Sequence, residues 1–158
     1  MLCNLQQDTE GNRWTGTRPD PALSSQEPQV ENQPKRILVL DDEPGILEVL
    51  EVYLKSQNFE AFINSQWTEA VDLIFHNPPN LILLDLKMPT IQGDKVLEFV
   101  RQQSSTLPVI VVSAHLTEKM MQDLRRLVAK GFAPKPFKFD KLMAIINAAL
   151  KHSLASSP

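Results

Sequence analysis

From Lys35 onward, five short apolar runs alternate with amphipathic stretches. The runs are Arg36–Asp41, Phe59–Ile63, Leu81–Asp85, Pro108–Ser113 and a shorter one near Gly131–Ala133. Near-continuous apolar runs of this length predict strands buried on both faces. The stretches around 44–56, 67–76, 92–102, 117–129 and 139–151 carry the helical period instead. In the first, Ile46, Val49, Leu50, Tyr53 and Leu54 recur at the spacing of a face laid on a sheet. In the last, Leu142, Ile145, Ile146 and Ala149 do the same, with Asp140 suitably placed for the helix dipole. The links are too short for anything except right-handed βαβ crossovers. An α/β fold is expected, a doubly wound (βα)5 three-layer sandwich.

The ends of the runs carry the chemistry. Asp41 and Asp42 follow RILVL, Asp85 closes NLILLD, Ser113 closes LPVIVVS, and Lys135 lies in GFAPKPF. An apolar run that stops abruptly at a polar residue delivers that side chain to the rim of a parallel sheet. The flavodoxin-like order 2-1-3-4-5 sets strands 1 and 3 side by side and brings Asp41, Asp42 and Asp85 together. Ser113 and Lys135 then fall on the side of strand 3 away from strand 1. A simple 1-2-3-4-5 order would separate the acids by a whole strand, so the chemistry selects the first. The second run, with Glu60 in it, suits an edge. Pro134 removes an N–H and is expected to shorten the fifth strand.

Composition narrows the class without changing it. The chain has 158 residues, 42% apolar and 22% charged, enough for one continuous core and a tail. A net charge of -3 and no basic stripe argue against nucleic acid. The single cysteine, Cys3, gives no disulfide framework or thiolate ligand set. With no signal-peptide pattern and no apolar run of about 18 residues, neither secretion nor a membrane span is expected. A soluble cytoplasmic protein is the expectation. Residues 1–34 are polar and proline-rich, with Trp14 as their one large side chain, and read as a disordered extension. The alternative is a docking peptide built on Trp14. The domain is expected over 35–152, with 153–158 a short tail.

Three carboxylates gathered at a rim repel one another and call for a cation. With oxygen ligands and no His or Cys among them, Mg²⁺ is favoured and Mn²⁺ suits as well. Ser113 and Lys135 can neutralise phosphoryl oxygens, and Asp85, between the acids and these two, is the natural nucleophile.

From Lys35 to Leu150 the chain resembles a response-regulator receiver domain, of the stand-alone chemotaxis-regulator-like type with an N-terminal extension. The resemblance rests on DDE at Asp41–Glu43, on DLKMPTIQG from Asp85 to Gly93, on Ser113 with Ala114, and on Lys135–Pro136–Phe137. It implies that a phosphohistidine on a sensor histidine kinase or histidine phosphotransfer protein donates to Asp85. It further implies that Mg²⁺ is held by Asp42, Asp85 and the Lys87 backbone carbonyl, with Asp41 acting largely through water. Ser113 and Phe132 would be the switch pair, Lys87 and His115 would modulate phosphoryl loss, and Pro136 would follow a cis peptide. His76 and His152 read as helix-surface residues, not phosphodonors.

Only KHSLASSP follows Leu150, so output is expected through protein contacts. The first reading is a regulator that docks a target by the face of helix 4, strand 5 and helix 5, as a monomer or a phosphorylation-dependent dimer. It catalyses its own phosphorylation and slow dephosphorylation, with no turnover of a separate substrate. The alternatives are a phosphorelay intermediate and a receiver-shaped interaction module.

Overall fold

The structure, a computed structural model, describes residues 33–154 except Thr90, Ser105 and Val128. The expectations for the N-terminal extension, Trp14 and Cys3 among them, lie outside the described residues. Five strands form one parallel sheet: β1 (Arg36–Leu40), β2 (Glu60–Asn64), β3 (Leu81–Asp85), β4 (Val109–Ser113) and β5 (Ala129–Pro134). The helices are α1 (Pro44–Ser56), α2 (Trp67–His76), α3 (Gly93–Gln103), α4 (Glu118–Leu127) and α5 (Phe139–Leu154). The sheet order is β2-β1-β3-β4-β5, as the strand-end chemistry required. A two-residue antiparallel ribbon, Lys87–Met88 with Ile91–Gln92, was not predicted, because such short pairs leave no periodicity to read.

Alternate residues of each strand feed opposite faces, which makes three layers. Leu38, Leu40, Ile82, Leu84, Val109 and Val111 meet α2, α3 and α4 through Ala70, Val96, Leu97 and Leu124. Ile37, Val39, Leu81, Leu83, Ile110 and Val112 meet α1 and α5 through Leu47, Leu50, Leu54, Leu142 and Ile146. Each fully buried Leu or Ile contributes about 1.5–3 kcal/mol.

The register of the two central strands is pinned at the end opposite the site. The Arg36 N–H donates to Asn80 Oδ1 at 2.7 Å, and the Asn80 N–H donates to the Arg36 carbonyl at 2.8 Å. Leu40 consequently pairs with Leu84, and Asp41 and Asp85 emerge together at the far rim.

Two expectations are corrected. The buried stripe of α1 is Leu47, Leu50 and Leu54, whereas Val49 is 52% exposed. Residues 46, 49 and 53 share a face with Leu50, but the sheet lies on the Leu47 side of it. Pro134 ends β5 without shortening it; the strand instead begins earlier, at Ala129. The Lys135 N–H next to it donates to the Ser113 carbonyl at 2.9 Å. On an edge strand alternate N–H groups point out of the sheet, and position 134 is one of these.

Candidate functional site

Asp41 and Asp85 leave β1 and β3 at the same rim, and both are buried (2% and 5% exposed), while Asp42 is exposed. One carboxylate oxygen from each of the three lies within 4.8 Å of the others. Local main chain orients the two buried acids. Asp41 Oδ1 accepts the Glu43 N–H at 3.0 Å, and Asp85 Oδ1 accepts the Lys87 N–H at 3.0 Å. The other oxygens share one ammonium: Lys135 Nζ lies 2.7 Å from Asp41 Oδ2 and 2.8 Å from Asp85 Oδ2. Lys135 thus spans both acids and is not confined to the far side of β3. Among the described residues, Lys135 is the cationic side chain that pairs with both buried carboxylates.

Burial is the main reason that the Asp41 pKa is raised; the bonds from Lys135 and Glu43 oppose it, and the charge of Asp85 adds a smaller push. The expected repulsion between acids is therefore present but secondary. For Lys135, burial favours the neutral amine, but the bonds to Asp41, Asp85 and Glu43 outweigh it and leave the pKa above the usual lysine value. The ammonium stays charged.

Ser113, 1% exposed, ends β4, and its Oγ accepts the His115 N–H at 3.4 Å. The His115 and Lys87 side chains are exposed. Phe132 is half-buried against the core on the α4 side of the sheet, with the Arg125 guanidinium 5.2 Å from its ring centre. The Lys135–Pro136 peptide is cis. Gly93, eight residues beyond Asp85, is buried where the chain turns into α3. Glu43, the third acid of the DDE run, has a task that its place in the sequence does not show. Its Oε1 in fact lies 3.0 Å from Lys135 Nζ. The available signal was a third acid directly after the acidic pair.

The donor set fits a hard divalent cation: three carboxylates, two of them buried, with oxygen as the only ligand atom. The cluster of Asp41, Asp42 and Asp85 matches the acidic Mg²⁺ site of receiver domains. The chain belongs to the response regulator receiver domain family, whose pattern matches residues 37–147. It is 31% identical over 120 residues to the response regulator MprA of Mycobacterium sp. strain KMS, covering 76% of this chain and 52% of that protein. It thus spans about half the length of such curated relatives. The structure is similar to a response regulator receiver domain from Francisella, with TM-score 0.70, 25% identity, and coverage of 75% of this chain and 98% of that one. A CheY-like receiver domain protein from Methanospirillum hungatei shares the fold, with TM-score 0.74 and 24% identity over 78% of this chain and 99% of that chain. Among the described residues no helix is long and apolar enough to cross a membrane.

Proposed function

We propose that Asp85 accepts a phosphoryl group from a phosphohistidine on a sensor histidine kinase or histidine phosphotransfer protein. A carboxylate oxygen attacks phosphorus, a P–O bond forms, and the P–N bond breaks with its electron pair returning to the imidazole. The product is an acyl phosphate. The observation that carries this reading is the buried Asp85 carboxylate, held by the Lys87 N–H and by Lys135 at 2.8 Å, beside two further acids. Lys135 neutralises charge on the transferred group, and the Ser113 hydroxyl donates to it. Asp42, Asp85 and the Lys87 carbonyl would hold Mg²⁺, with Asp41 acting largely through water, and the ion when bound would supply further positive charge against the phosphoryl oxygens. Lys87 and His115, exposed beside the site, modulate how fast the group is lost.

Movement of Ser113 toward the phosphoryl group then favours an inward Phe132, and the face formed by α4, β5 and α5 changes for a target protein or a second copy. The working domain is taken as 35–152, in the cytoplasm, although α5 itself continues to Leu154. The test is intact mass after incubation with Mg²⁺ and acetyl phosphate. Wild type should gain one phosphoryl group, and Asp85→Asn should gain none. Labelling of the mutant, or none of wild type even with a phosphohistidine donor, sinks the assignment.

A further inference from the structure

Glu43 occupies the N-cap position of α1, yet its side chain makes no capping bond. Its main chain is fixed: the N–H donates to Asp41 Oδ1, and the carbonyl accepts from the N–H groups of Ile46 and Leu47. The carboxylate, 59% exposed, instead meets Lys135 Nζ at 3.0 Å. An ammonium has three N–H donors. Here they are shared among Asp41, Asp85 and Glu43.

Asp41 and Asp85 also belong to the acid cluster that suits a divalent cation, and Glu43 does not. A cation drawn to those oxygens competes with Lys135 for them and repels its ammonium. The Lys135 side chain is only 10% exposed. An ammonium so placed is costly to leave without acceptors. Glu43 is the acceptor that remains available at the outer edge.

We propose that Glu43 is a positioning residue: it holds the Lys135 ammonium at the rim when a divalent cation occupies the acids, and so eases cation binding without touching the cation. The proposal rests on the phosphoacceptor reading of the site. Because Glu43 is largely exposed, its pairing supports an effect of about two- to fivefold.

The test is Mg²⁺ titration calorimetry on the full chain as wild type, Glu43→Gln, Lys135→Met and the double variant. Glu43→Gln should weaken Mg²⁺ binding by about two- to fivefold in the wild-type background. Lys135→Met should tighten it, since the competing ammonium is gone. In that second background Glu43→Gln should change affinity by less than about twofold. Equal weakening in both backgrounds would mean that Glu43 acts through its own charge or as a ligand, and the proposal is wrong. No change in the wild-type background also overturns it. Should Lys135→Met fold poorly, Lys135→Gln replaces it in both the single and the double variant. If wild type binds no Mg²⁺, the phosphoacceptor reading fails first and takes this role with it.

Discussion

A Cβ added at Gly93 would lie 2.5 Å from Leu86 Cδ2 and 2.8 Å from Leu86 Cα. The second contact is backbone, in the segment directly after Asp85, so it cannot be relieved by a rotamer change. A Cβ at Gly131 would meet Ile145 Cγ2 at 2.5 Å, a side-chain methyl on α5 rather than backbone. Neither glycine has a positive φ, so contact alone decides both. Gly93→Ala should cost about 1–3 kcal/mol in urea denaturation, and Gly131→Ala less. Equal losses would mean that the loop after Asp85 yields as easily as a side chain. The three clustered acids, Ser113 and Lys135 were legible as polar residues closing apolar runs. The Glu43–Lys135 contact was not, because it depends on where an ammonium settles among several carboxylates in three dimensions.

At the scale of elements, β5 and α4 meet where Arg125 stacks over Phe132. The guanidinium covers a ring that is otherwise half-buried, and a cation–π contact at an exposed site contributes about 0.5–1 kcal/mol. If Phe132 exchanges between outer and inner positions, Arg125 favours the outer one. Arg125→Ala should therefore raise the inward fraction by about two- to fivefold, read from the aromatic NMR signals of Phe132 without phosphodonor. Unchanged populations would show that packing alone sets the ring. Neither this contact nor the start of β5 was legible: the predicted fourth helix ran to residue 129, where the strand begins. The β4–β5 pairing is irregular between Val109 and Ile110, whose partners Ala129 and Gly131 leave Lys130 extra. Such a shift breaks the two-residue period. α1 differs: its existence and length were plain, and only the direction of its buried stripe depended on which way the sheet lay.

For the whole molecule, the order of strands followed from chemistry rather than from periodicity. Only an arrangement with β1 beside β3 gathers the acids, and the Arg36–Asn80 bonds hold that register from the opposite end. Cation binding should then stabilise the entire fold, because unfolding separates Asp41 and Asp42 from Asp85 and destroys the site. At a Mg²⁺ concentration about 100 times the dissociation constant, the gain is about 2.7 kcal/mol. Asp42 is the means of testing this. It is exposed and lies outside the Lys135 pairings with the two buried acids, so Asp42→Asn should leave metal-free stability within about 0.5 kcal/mol. The same variant should lose most of the Mg²⁺ increment. Urea denaturation with and without Mg²⁺ measures both effects on one pair of proteins. An equal Mg²⁺ shift in wild type and variant would remove Asp42 from the ligand set. A large loss without Mg²⁺ would instead give its carboxylate a structural task that none of its contacts in the fold explains.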